Sequence, residues 1–315
     1  MNPVLDRDFA DPAVVRAADG SFYVYATQTR ETSPPINIQV ARSTDLVHWQ
    51  VLGDALPRKP EWARTTQDFW APHAHFADGR WFLYYAAKKD GGDMCLAVAT
   101  SDRPEGPFVD AGAPIQCGKG FRDIDAMAFD DPATGKKLLY WGSMHLPLLV
   151  QELAPDRRRF APGSAPIEVL STRDAQYEKL IEAPWVVLRH GYYYLFYSGD
   201  NCCGDQASYA VLVARSRSAT GPFETLAHAT GASSSAILVR SERWNAPGHN
   251  AIVSDGAGDD WIVYHAVDPR RPTIPGTTDT RRPLLLDRVV WQNGWPAVDR
   301  GTPSASAKAA PRTGR

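Results

Sequence analysis

The chain has 315 residues, of which 43% are hydrophobic and 22% charged, with a formal net charge of −2. That composition describes a globular protein with room for one large domain or two ordinary ones. It excludes the basic footprint of a nucleic-acid binder, and no apolar run approaches the roughly 20 residues of a membrane helix. The start, "MNPVLDRDFADP", is acidic and broken by proline. It does not read as a signal peptide, so the chain as written is expected in the cytoplasm, or outside it if an export signal has been removed. Four cysteines are too few for a disulfide scaffold.

Taken in order, the predicted elements repeat. "DPAVVRAADGSFYVYAT" from Asp11 is a short apolar strand, a turn with Gly, and a second strand rich in aromatics. The same pattern returns in "APHAHFADGRWFLYYAA" from Ala71, "DAMAFDDPATGKKLLYWGS" from Asp125, "APWVVLRHGYYYLFYSG" from Ala183 and "PGHNAIVSDGAGDDWIVYHAV" from Pro247. Each is a hairpin, and successive hairpins start roughly 60 residues apart. Two further strand-like pieces follow each one, as in "INIQVARSTDLVHWQVL" and "AVLVARSRSATGPFETL". Five four-stranded antiparallel meanders cannot each bury both faces alone. Stacked around an axis they form an all-β, five-bladed propeller over residues 1–302. The alternative, a two-domain β-sandwich, does not require a repeating hairpin. Residues 303–315, "PSASAKAAPRTGR" from Pro303, are small and polar and are expected to be disordered.

In a propeller the first strand of each blade lines the central channel, so the starts of those strands converge. They carry Asp11, Trp70 to His73, Asp125, Glu182 and His249. Three carboxylates meeting in one funnel suit glycoside hydrolysis. One carboxyl protonates the departing oxygen while another, ionised, activates water or attacks the anomeric carbon. A third raises the acid's pKa by like-charge repulsion. Phe9, Trp70 and Trp185 suit the apolar face of a sugar ring. Asp6, Asp8, Asp123 and Glu178 are nearby rivals that lie off the repeat. His73, His75 and His249 offer a metal-dependent alternative, and a glycan-binding propeller without catalysis is a third reading. Cys202 and Cys203, adjacent in "YSGDNCCGDQ", are either a vicinal disulfide or two free thiols at a substrate subsite. Cys95 and Cys117 read as core residues.

On "DFADPAVV", "FWAPH", "DIDAMAF", "LIEAPWVV" and "APGHNAIV", in that order, the chain resembles glycoside hydrolase family 43. The resemblance runs from about residue 5 to about residue 300 and implies a five-bladed propeller. It implies that Asp11 is the general base, Glu182 the general acid and Asp125 the residue that tunes and orients the acid. The reaction would invert the anomeric centre, with base and acid about 6.5–9.5 Å apart. Arg281 or Arg282 would enter the site, and His73, Cys202 and Cys203 would line it. His249 would face a water cluster or a calcium ion on the axis, with no cofactor required for the reaction. The "CC" loop and the C-terminal third look closest to arabinan-active members. The expected partner is therefore an arabinose-containing oligo- or polysaccharide, with β-xylosides and galactans as the alternatives.

Overall fold

The computed structural model describes residues 1–307 and 309–312. Blade one comprises β1 (Ala13–Arg16), β2 (Phe22–Ala26), β3 (Gln39–Ser43) and β4 (Gln50–Asp54). Blade two comprises β5 (Phe69–Ala77), β6 (Arg80–Lys88), β7 (Met94–Ser101) and β8 (Val109–Asp110), and β9 (Gln116–Cys117) also pairs with β7. Blade three is β10 (Met127–Asp130), β11 (Lys137–Trp141), β12 (Leu148–Glu152) and β13 (Ile167–Leu170). Blade four is β14 (Ile181–Arg189), β15 (Tyr192–Gly199), β16 (Ala210–Ser216) and β17 (Glu224–Thr225), with β18 (Ala236–Leu238) also on β16. Blade five is β19 (Asn245–Ser254), β20 (Asp260–Val267), β21 (Leu284–Gln292) and β22 (Trp295–Val298). Each sheet runs in sequence order and is antiparallel. The innermost strands touch in a closed ring, β1 to β5 to β10 to β14 to β19 and back to β1. This is the five-bladed propeller the repeat predicts.

The strand chemistry follows from that arrangement. A blade packs against a neighbour on each face, so its central strands cannot alternate apolar and polar residues. The second strands are instead continuous runs such as "FYVYA", "YYYLFYSG" and "DWIVYHAV", buried almost throughout. Outermost strands meet water, and β4, "QVLGD", has no fully buried residue. The Asp78-Gly79, His190-Gly191 and Asn293-Gly294 turns all have positive φ at both positions, the two-residue turn that matches strand twist.

Two devices repeat around the axis. The residue just before each inner strand, or at the bulge within it, is left-handed: Asp11 (φ 54), Ala71 (φ 48), Asp125 (φ 62), Ala183 (φ 55) and Ala246 (φ 46). In β5, β14 and β19 the ladder shifts register there, and such bulges re-aim the side chains beside them. Each blade also offers one acceptor to a backbone N–H of the next. Thr27 accepts from Ala71 at 2.9 Å, His73 from Ala128 at 3.3 Å and Asp125 from Ala183 at 2.9 Å. Ser198 accepts from His249 at 2.8 Å, and His265 from Asp11 at 3.0 Å. These five bonds pair backbone amides around the channel between one blade and the next.

The ring is closed by the N-terminal segment. The Val4 amide donates to the Leu284 carbonyl at 2.9 Å, and Leu284 donates to Leu5 at 3.2 Å. The Asn2 side chain accepts from the Leu286 amide at 2.9 Å and donates to Asp287 at 3.1 Å. Part of the tail expected to be disordered is among the described residues. The Ser304 amide donates to Asp287 at 3.1 Å and the Arg312 amide to Asp255 at 2.9 Å, so the segment runs back along blade five. Residues 308 and 313–315 lie outside the described residues. Cys95 and Cys117, expected as core thiols, are bonded to each other and tie β7 to β9. Among the described residues no helix is long and apolar enough to cross a membrane.

Candidate active site

A cavity of about 780 Å³ opens over the start of the inner strands and is lined from all five blades. Asp11, Asp125, Glu182, His249 and Arg282 stand on its floor. Asp11 accepts from the Arg282 guanidinium at 2.8 Å through one carboxylate oxygen and from the Thr27 hydroxyl at 2.5 Å through the other. Its backbone N–H goes to His265 Nδ1, which fixes that ring as the Nε2–H tautomer. Burial pushes the Asp11 carboxyl up. The charge of Arg282 and the Thr27 hydrogen bond more than offset this, so it lies far below the usual carboxylate range.

Glu182 is held differently. It accepts from the Ser143 hydroxyl at 2.5 Å and from the Tyr209 hydroxyl. Burial raises its pKa and the Asp11 charge adds to the rise, while these two hydrogen bonds partly oppose it. Asp125 is raised well above the usual range, first by burial and then by the charges of Glu182 and Asp11. His249 Nδ1 lies 3.5 Å from an Asp11 oxygen and 3.9 Å from an Asp125 oxygen, so one imidazole spans the two acids. Burial depresses this histidine to about 4 against the pull of Asp11, leaving it neutral.

Three of the four rivals are elsewhere. Asp6 pairs with Arg271 and Arg281. Asp123 is completely buried and accepts from Gln116 and the Trp141 indole, a structural anchor at the mouth of the hairpin. Glu178 is buried 3.9 Å from Arg173. Asp8 does line the cavity, where burial raises it to about 6 and it accepts the Arg282 amide.

Several expected contacts need correcting. Phe9 is fully buried in the core; residues two apart on extended chain share a face, but the left-handed Asp11 breaks that alternation. His73 is the blade-two staple to Ala128, and Trp185 packs edge-on against it at 5.1 Å rather than facing the cavity. Arg281 turns to Asp6 at 2.8 Å, and Arg282 is the arginine that enters. Trp70 lines the cavity with its ring 5.7 Å from Phe121. Cys202 and Cys203 are bonded to each other and line it too. Thr27, Ser143, Tyr209 and His265 were not read from the sequence. Thr27, Ser143 and His265 all lie within two residues of the end of a second strand, a recurrent polar position that would have been the signal.

The donor set does not fit a caged calcium. Calcium takes six to eight oxygens, whereas the axis offers imidazoles, and among the described residues no group of three or more His, Cys, Asp or Glu could hold a metal ion. His73, His75 and His249 therefore make no metal site, and His75 instead sits 3.3 Å from Asp130.

Comparison with known proteins agrees with the geometry. The model of the glycosyl hydrolases family 43 matches residues 1–296. The extracellular endo-α-(1→5)-L-arabinanase 1 of Bacillus subtilis is 26% identical over 301 residues, covering 91% of this chain and 86% of the relative. The β-D-galactofuranosidase xynD of Aspergillus niger is 28% identical over 309 residues, covering 91% and 81%. The crystal structure of a thermostable family-43 glycoside hydrolase superimposes with a TM-score of 0.80 at 26% identity, covering 99% of both chains. With three carboxyl groups brought together on the floor of one cavity, the chain belongs to glycosyl hydrolase family 43 and is a glycoside hydrolase.

Proposed function

We propose that the protein cleaves α-L-arabinofuranosyl linkages by a single displacement that inverts the anomeric carbon. One observation carries the mechanism: in one cavity, two carboxyl groups are displaced in opposite directions. Asp11 is held ionised by Arg282, and Glu182 is pushed toward its protonated form. A water on the Asp11 side loses a proton to that carboxylate as its oxygen attacks C1. The departing oxygen takes the Glu182 proton as the glycosidic bond breaks. Asp125 accepts the Ala183 amide and so holds the backbone beside the acid in place, while burial and the Asp11 charge keep the acid's pKa high. The neutral His249 between Asp11 and Asp125 adds no charge that would equalise the two.

The sugar assignment is supported by the arabinan-acting relative and the Cys202–Cys203 wall. The galactofuranosidase relative makes β-D-galactofuranosides the competing substrate, since both are five-membered rings. The test compares p-nitrophenyl α-L-arabinofuranoside, β-D-galactofuranoside and β-D-xyloside, with linear arabinan, for wild type and Glu182→Ala. Arabinoside turnover is expected to be fastest. The mutant should lose roughly 10²–10⁴-fold on arabinan and less on the nitrophenyl substrate, whose leaving group needs no proton. Equal losses on both would refute Glu182 as the acid. Faster galactofuranoside or xyloside turnover would move the sugar.

A further inference from the structure

The loops that rise on the cavity face differ sharply in length around the ring. Between second and third strands they span 27–38 in blade one, 89–93 in blade two, 142–147 in blade three, 200–209 in blade four and 268–283 in blade five. The long ones belong to the contiguous sector of blades four, five and one, and they are joined. The Gly204 amide donates to the Thr280 hydroxyl at 2.8 Å, and Arg30 pairs with Asp279 at 2.8 Å. A bridge from Thr273 to Thr280 stiffens the blade-five loop between them. The exposed Arg30–Asp279 pair adds little stability, but together these contacts make a continuous wall.

In the opposite sector these loops are short, and apolar side chains reach the surface. Phe121 is 53% exposed and Met144 37%, although both line the cavity. The Phe121 amide donates to Met144 Sδ at 2.8 Å, and Trp70 lies alongside. Exposed apolar side chains at a cavity rim call for a ligand surface. Met144 directly follows Ser143, which holds Glu182.

From this asymmetry we infer that the enzyme acts on chain ends, taking the non-reducing terminal sugar against the blade four–five–one wall while the departing chain runs out over Phe121 and Met144. The chemistry sets the direction. In an in-line displacement the water is on the Asp11 side and the departing oxygen on the Glu182 side, and the open rim lies just beyond Glu182. An internal segment would have to continue through the wall. The inference rests on the proposed glycosidase chemistry but not on which sugar is cut.

The test follows a pentasaccharide labelled at its reducing end, of the sugar that the substrate panel selects, through the first tenth of its turnover. Labelled tetrasaccharide, then trisaccharide, with unlabelled monosaccharide released throughout, is the expected result. Labelled monosaccharide or disaccharide from the outset would overturn it. Phe121→Ala should raise KM for the pentasaccharide several-fold with kcat little changed, and an unchanged KM would remove the platform from the proposal. If the panel selects xylose, the arabinan reading falls, and the same labelled series in xylose decides this one.

Discussion

At the scale of single residues, Asp11 and Glu182 show how one cavity pushes the same functional group in opposite directions, which the proposed mechanism uses as base and acid. The difference lies in the partners: a guanidinium 2.8 Å from Asp11, and two neutral hydroxyls on Glu182. The sign of the pH dependence follows. On the proposed mechanism activity needs Asp11 ionised, and its depressed pKa places the acid limb at strongly acidic pH. It also needs Glu182 protonated, so activity falls as pH rises through that group's raised pKa. The Tyr209 hydroxyl donates to the Glu182 carboxylate and favours its ionised form. Tyr209→Phe should therefore move the alkaline limb of kcat/KM upward in pH and leave the acid limb in place. A downward or absent shift in the measured profile would contradict this account. Arg281 and Arg282 show what single residues conceal in a sequence. They are adjacent and chemically identical, yet alternation sends one to Asp6 and the other to Asp11.

At the scale of elements, β19 carries a second requirement of the acid. A Cβ on Gly248 would meet the Tyr209 ring at 2.1 Å, so only a residue without one lets that ring lie where its hydroxyl reaches Glu182. Gly248→Ala is expected to cost about 1–3 kcal/mol in unfolding measurements and to lower activity without altering any ionisable group. Full activity in that variant would show that Tyr209 is dispensable. The hairpins were legible because their turns are punctuated by Gly and their second strands by aromatics. The acids were legible because each stands at or beside the start of an inner strand. Tyr209 and His265 were not, because one reaches the site from the loop before β16 and the other from β20, each across a long separation, and nothing local marks those contacts. Trp185 was misread for a related reason, since β14 changes register between Glu182 and Trp185 and the pattern does not carry through the bulge. The described tail escaped composition entirely, being held by backbone bonds to Asp255 and Asp287.

At the scale of the whole molecule, the ring is held shut by a few residues at its beginning. Removing residues 1–5 deletes the hydrogen bonds to Leu284 and Leu286. At about 1 kcal/mol each, their loss should lower Tm by several degrees in calorimetry. Activity should fall with it, because Arg282 stands two residues before Leu284. An unchanged Tm would mean the blades close without the clasp. The closure also sets a sequence of events in time. Asp11 is made before its partner Arg282, which comes 271 residues later. A nascent chain can pair its early hairpins as they emerge, but the base has no guanidinium until blade five is complete. On the proposed mechanism, catalytic competence therefore waits on blade five. A chain stalled or cut before blade five would carry all three acids, yet Asp11 would lack the Arg282 charge that holds it ionised.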